Sequence, residues 1–399
     1  MRRLGIIFIV LFVFVLGGYF SYRKIISYYN LDLHHIKKVL EPPKQDIVQL
    51  LKKGNELEKP LAITDNFHIG IFADLKKFGM PRVLRFDDQG VLFTSLTKKG
   101  GIIALPDNDN DGVVDEIVTV LAGLNNPHGL DFHQDWLYVA ESDRVVRYKY
   151  NSGNFTVDKG EVLFLLPDRG RHYTRTINVH EDKLYTSIGS SCDVCIENDE
   201  KRAAILVSDL NGNNLRVFAS GLRNTVFFDF DSEGKMWGND MGRDFLGNDL
   251  PPDELNIINE GSKYGWPRCY GKSIRDIKFR SFESLDHCKS TFPSTYDYPA
   301  HIAPLGIRFV DSEIFSSNEQ GDLLVSFHGS WNASPPRGYK VVKLKVEEGR
   351  VTVMEDFVSG WLTDEGDILG RPVDLIFGSD GALYISDDKA GVIYLVTNN

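Results

Sequence analysis

The sequence predicts an all-β chain, a six-bladed β-propeller behind an N-terminal membrane segment. Three observations predict it. First, one unit recurs six times: a strand centred on Phe or Val, a tight turn, then a second strand of the Leu-Tyr-Val-Ser type. Second, those second strands begin near Leu92, Leu137, Leu184, Met236, Leu323 and Leu383. Their spacing is about 45 to 60 residues apart from one longer gap, as propeller blades require. Third, the 36 glycines and 12% aromatic residues suit short strands joined by tight turns, and long helical patterns are absent. Unrelated stacked sandwiches would share no such register.

In chain order, Met1, Arg2 and Arg3 precede an apolar run from Leu4 to Phe20, followed by Tyr22, Arg23 and Lys24. A run of about 17 residues is at the lower limit for a membrane span. No small-residue cleavage site follows it, and basic residues do, so residues 1–24 read as an anchor, with a cleaved signal segment as the alternative. Either reading places the remainder outside the cytoplasm, tethered in the first case by residues 4–20. Residues 25–60 are polar, with a Pro-Pro at 42–43, and read as a short helix and a stalk. Residues 61–399 carry the repeat and form the propeller. The 399-residue length and 42% hydrophobic content allow one large β domain, and the net charge of -11 argues against a nucleic-acid partner.

Four cysteines behind an export segment read as two disulfides, Cys192–Cys195 and Cys269–Cys288. The second pair lacks C-x-x-C spacing, which disfavours zinc. No thioredoxin-like βαβ pattern surrounds the first. The long gap between the fourth and fifth units, roughly 266 to 300, reads as an insertion pinned by Cys269–Cys288 and overhanging the channel mouth.

Two constellations carry chemistry. Asp107, Asp109 and Asp111 alternate before Gly112, and the Val113 carbonyl and Asp115 can complete a calcium shell. Val118 stands where an EF-hand would place its bidentate Glu, so the loop is closer to the short calcium loops of extracellular modules. The second constellation appears when the units are aligned on the first-strand Phe. Four to seven positions before it stand Arg82, His128, His172 with Arg175, Arg223 with Asn224, and Arg371. Each alone reads as a hydrogen-bonded loop residue. Together they aim cations and imidazoles at one mouth of the channel, which in an acidic protein calls for an anionic ligand.

The chain from about residue 61 to the C-terminus, most closely from 172 to 271, resembles the glucose/sorbosone dehydrogenases that use pyrroloquinoline quinone (PQQ). RHYTRTINVHEDKLYTSIGSSCDVC resembles the blade carrying that family's catalytic histidine, which implies His172 as the base. GLRN resembles the cofactor-stacking arginine motif and points to Arg223 and Asn224. DMGRD, PPDELN and YGWP resemble the loop that offers two backbone carbonyls, here Gly242 and Arg243, to the cofactor's calcium. VSFHGSWN, containing His328, and GRPVDL, containing Arg371, are similar to the membrane-associated sorbosone dehydrogenase branch. A lysine expected near His328 in the glucose branch is missing, and no Pro or Ala follows Asn224.

The resemblance implies PQQ and Ca2+ as cofactors, with Arg175, Arg223, Asn224, His328, Arg371 and His128 around PQQ. It implies a sugar or sugar aldehyde as substrate and an unidentified electron acceptor. His172 would act as base and Arg223 would stabilise developing charge, with His128 and His328 as rival bases. No GxGxxG follows a strand, so a nicotinamide cofactor is not indicated. The other reading is a non-redox calcium-dependent propeller, a lactonase-like hydrolase or a module binding carbohydrate or protein.

Overall fold

A computed structural model of the chain describes residues 32–52, 61–280 and 287–398. The apolar run at 4–20 lies outside them. Among the described residues no helix is long and apolar enough to cross a membrane.

Six antiparallel sheets of four or five strands follow one another along the chain. Their innermost strands are Leu84–Phe86, Leu130–His133, Arg175–His180, Thr225–Phe230, Pro304–Phe309 and Pro372–Phe377, in blades 1 to 6. Each inner strand packs on that of the next blade, and the sixth returns to the first, so the ring is closed. The expected equivalence holds. Leu92, Leu137, Leu184, Met236, Leu323 and Leu383 all lie on the second strand of a blade. Those strands are buried almost end to end, because each is covered on both faces by neighbouring blades. They therefore carry unbroken apolar and small residues rather than an alternating pattern.

The first hairpins of blades 1 and 4 share a local device. Asp87 and Asp231 accept backbone N–H groups two and four residues on, and Gly90 and Gly234 close the turns at φ of 81° and 77°. A side chain there would be strained, which explains the D-x-x-G spelling of these two turns.

Blade 6 is built from both ends of the propeller. Phe67–Asp74 forms its outer edge, paired with Val392–Asn398. Three carboxylates then join blades across the ring. Asp131 of blade 2 accepts the Val179 N–H of blade 3 at 2.6 Å, Asp229 of blade 4 that of Phe309 in blade 5 at 3.2 Å, and Asp374 of blade 6 that of Leu84 in blade 1 at 2.8 Å. Arg85 lies 3.5 Å from Asp374 and 3.6 Å from Asp131, and Arg308 lies 3.3 Å from Asp229.

The stretch expected as a stalk is different where it is described. Helices α1 (Leu33–Leu40) and α2 (Ile47–Lys52) lie against the propeller. Val39, Ile47 and Val48 enter the core between blades 5 and 6. Asp32 caps α1 by accepting from His34 and His35, and Lys389 donates to the carbonyls of Lys38 and Val39 at its other end. Both disulfides are formed as expected, Cys192–Cys195 and Cys269–Cys288.

Candidate functional site

Each blade opens onto one face of the ring at two places: the loop entering its inner strand and the end of its second strand. A cavity of about 280 Å3 sits at the centre of that face. Entry loops supply Arg171 and His172 (blade 3), Arg223 and Asn224 (blade 4), His301 (blade 5), Arg371 (blade 6) and Arg82 (blade 1). Second-strand ends supply Met241, Gly242 and Asp244, then His328, Trp331 and Asn332. The same anchoring recurs in two blades. Asp240 accepts the N–H groups of Arg223 and Asn224 at 2.8 and 2.6 Å, and Asp387 accepts that of Arg371 at 2.8 Å. Burial pushes both carboxyls up to about 6.

The His172 ring is held by its Nδ1, 3.0 Å from the Ser190 carbonyl and 2.9 Å from the Ser190 hydroxyl. A carbonyl only accepts, so Nδ1 carries the proton and Nε2 is left with its lone pair. Burial, then the charges of Arg223 and Arg171, lower the pKa well below 6.5, so the ring stays neutral. The fit is close. A Cβ on Gly189 would stand 2.4 Å from Asn224 Oδ1 and 2.6 Å from His172 Cβ.

Arg223 donates from Nε to the Asp193 carbonyl at 2.9 Å, from Nη2 to the Asp193 carboxylate at 2.8 Å and from Nη1 to the Met241 carbonyl at 3.1 Å. Asp193 sits inside the Cys192–Cys195 loop. Arg171 at 3.7 Å and Arg243 at 3.9 Å also converge on it, and it accepts the Asp244 N–H at 2.9 Å. Sequence reasoning missed Asp193, along with Arg171, Asp244, His301, Trp331 and Asn332. The available signal was a charged residue locked inside a short disulfide loop.

Across the cavity, His328 Nε2 donates to Asp388 at 2.8 Å, and Arg82 pairs with the same carboxylate. Burial and then Arg371 bring His328 down to about 4. His328, Arg82 and Arg371 together overcome the effect of burial and hold Asp388 well below the usual carboxylate range. Arg371 donates to the carbonyls of His328 and Gly329 at 2.9 and 2.6 Å.

Two expected members of the site do not reach the cavity. His128 is fully buried and meets the Thr176 hydroxyl at 3.2 Å. Arg175 is spent on the carbonyls of His172, Thr174 and Pro167 and so props the loop that carries His172. Both lie at the smallest offset before the strand centre, where the chain has already entered the wall. The larger offsets of His172, Arg223 and Arg371 put them on the loops above. Arg82 shares the small offset, yet it lines the cavity, where it pairs with Asp388.

Gly242 lines the cavity, its N–H bonded to Asp253 at 2.7 Å and its Cα pressed so close to Pro251 and Pro252 that a Cβ would not fit. Arg243 turns its guanidinium to Asp276 at 3.1 Å. In the loop at 107–115, the carboxylates of Asp107, Asp109 and Asp115 come within 4.8 Å of one another. Asp111 lies outside that group and accepts the Val113 N–H at 2.9 Å, as the clustered carboxylates accept the N–H groups of Asn108, Asp111 and Gly112.

The fold and site define a six-bladed propeller with a basic, imidazole-bearing cavity at one mouth. The chain belongs to the TrAA12-like family, which matches residues 62–399. It is 31% identical over 360 residues to an uncharacterized protein of Borreliella burgdorferi, covering 86% of this chain and 92% of that protein. It is 23% identical to the pyrroloquinoline quinone-dependent pyranose dehydrogenase of Coprinopsis cinerea, covering 79% of this chain but only 52% of that protein's length. In three dimensions it is similar to the holo PQQ domain of the Coprinopsis cinerea pyranose dehydrogenase, with a TM-score of 0.71, 20% identity, and coverage of 85% of this chain and 97% of that one. It is also similar to the PQQ-bound aldose sugar dehydrogenase of Streptomyces coelicolor, with a TM-score of 0.60, 17% identity, and coverage of 85% of this chain and 100% of that one.

Proposed function

We propose that the protein is a PQQ- and calcium-dependent dehydrogenase that oxidises a sugar or sugar aldehyde, aldose- or sorbosone-like. One observation carries the reading. A neutral imidazole with its Nε2 free shares a cavity with four arginines, in a protein whose net charge is -11. The residues fit the cofactor's chemistry. PQQ bears three carboxylates, and Arg82, Arg223 and Arg371 are the counter-charges that would hold it. The buried Nε of Arg82 has no partner among the described residues. Bound PQQ supplies the acceptor for the hydride leaving the substrate carbon.

The chain's own residues do the rest. His172 Nε2 takes the proton from the substrate's anomeric or hydrate hydroxyl. Arg223, fixed by Asp193 and the Met241 carbonyl, faces the charge that develops beside it. Of the rival bases, His128 is sealed in the wall, and the Nε2 of His328 is engaged by Asp388. The Gly242 and Arg243 carbonyls would ligate the cofactor's calcium, and the 107–115 loop would hold a second, structural ion.

The reading extends to location, outside the cytoplasm and tethered by residues 4–20. Its support is the apolar run itself and two disulfides, which persist in oxidising compartments. The test is to add PQQ and calcium to the purified protein and record the absorption spectrum, then add a panel of aldoses and an artificial electron acceptor. Bound-cofactor absorption that a sugar bleaches is the expected result, and absence of PQQ binding would end the proposal.

A further inference from the structure

Helix α1 lies outside the region matched by the family, yet it touches the back of the cavity wall. His35, on its first turn, is 3% exposed. Its Nε2 lies 2.8 Å from the carbonyl of Ser330. That carbonyl can only accept, so His35 Nε2 donates to it. The Tyr339 hydroxyl donates to the same carbonyl and stands 3.2 Å from His35 Nε2. Ser330 belongs to the 328–332 loop, whose His328, Trp331 and Asn332 line the cavity.

The same loop is what positions Arg371. The guanidinium donates to the two carbonyls just before Ser330, those of His328 and Gly329. It also sits 5.7 Å from the centre of the Tyr339 ring. Gly329 has φ of 96°, and a Cβ there would stand 2.4 Å from that ring, so loop and ring are packed with no room between them. The contacts run without a break from α1 to Arg371: His35, Ser330, Tyr339 and Gly329, then the guanidinium. Asp32 caps the start of α1 and Lys389 ties its end to blade 6, so His35 meets the loop from a helix anchored to the propeller.

We propose that His35 is a positioning residue of the cofactor cavity, holding the 328–332 loop, and through it Arg371, from a helix added to the shared propeller. The proposal rests on the PQQ reading only in naming what Arg371 would meet.

Two variants test it in the full-length protein. His35→Ala removes the donor, and His35→Gln restores one on a side chain of similar reach. Three quantities are read: amide hydrogen exchange at 328–332 without cofactor, PQQ affinity by absorption titration, and kcat at saturating PQQ. His35→Ala should speed exchange at 328–332 and weaken PQQ binding about threefold to tenfold, the worth of one hydrogen bond, with kcat at saturation little changed. His35→Gln should recover both. Tyr339→Phe, which keeps the ring and loses the hydroxyl, should shift exchange in the same direction and serves if His35→Ala folds poorly. Unchanged exchange in folded His35→Ala, or in Tyr339→Phe where His35→Ala does not fold, would overturn the proposal, as would a loss that His35→Gln fails to repair. A parent protein that does not bind PQQ would refute the functional reading, while exchange would still decide the coupling.

Discussion

At the scale of single residues, the site separates groups that do chemistry from groups that hold them. In the proposed role His172 works as neutral imidazole, and burial, then Arg223 and Arg171, keeps it neutral to well below pH 6.5. As pH falls, protonation of this base is therefore delayed, and the acid limb of the turnover profile should lie below pH 6.5 rather than at it. His172→Ala should retain PQQ binding and lose about 10²–10⁴-fold in kcat, the usual worth of a general base, and full turnover with cofactor bound would remove His172 from that role. Asp193 does no chemistry but faces three arginines. Asp193→Ala should leave Arg223 with one partner fewer and the loop with excess positive charge, so kcat should fall by about tenfold, one charge-assisted hydrogen bond. Asp193→Asn, which keeps the oxygen facing Arg223, should lose less, and equal rates for parent and both variants would show the contact to be idle. His172, Arg223 and Arg371 were legible in the sequence because their offset from the strand centre recurs. Asp193 was not, because its importance comes from a cross-blade contact that no repeat records.

At the scale of elements, the hairpins and loops divide into those the repeat spells out and those defined by what they touch. The D-x-x-G turns and buried second strands could be read directly, since turn chemistry and two-sided burial each leave a local mark. Helices α1 and α2 could not be read as docked. Their contact surface is Val39, Ile47 and Val48, with Leu50 and Leu51 packed beside them and His35 buried, and helices of eight and six residues are too short to show a period. The 107–115 loop was legible as a calcium motif, but the structure ranks its carboxylates. All four aspartates accept backbone N–H groups of the loop, but only Asp107, Asp109 and Asp115 bring their carboxylates together, and Asp111 lies outside that group. Asp109→Asn should therefore weaken calcium binding, followed by titration calorimetry, and lower the unfolding temperature in calcium-containing buffer. Asp111→Asn should do so less. Equal calcium affinity in the parent and Asp109→Asn would identify the loop as a solvated turn.

At the scale of the whole molecule, the ring must hold its blades in phase, because the cavity takes residues from five of them. Hydrogen bonding within each sheet cannot do this, since it stops at the blade's edge. Several devices act between blades, among them apolar packing of the second strands, closure of blade 6 by Phe67–Asp74, the carboxylates Asp131, Asp229 and Asp374, and the hydroxyls of Ser187, Ser326 and Ser386, each donating to a carbonyl of the next blade. The third was hidden in the sequence, because each aspartate looks like one more polar residue beside a strand. Asp374 offers the sharpest test. It is 1% exposed, accepts the Leu84 N–H across the seam between the last blade and the first, and faces Arg85. Asp374→Ala would leave a buried N–H without its acceptor and Arg85 with Asp131 as its remaining carboxylate partner. The expected cost is about 1–3 kcal/mol, seen as a lower urea midpoint with an unchanged slope. Because the seam joins blades that also carry Arg371 and Arg82, PQQ affinity should fall with it. Asp374→Asn keeps an oxygen for Leu84 and should sit between the parent and Asp374→Ala on both scales. A midpoint unmoved in Asp374→Ala would mean that the Asp374 contact is idle and that packing, strand closure and the remaining bonds across the seam, such as that from Ser386 to the Arg82 carbonyl, keep the blades in phase.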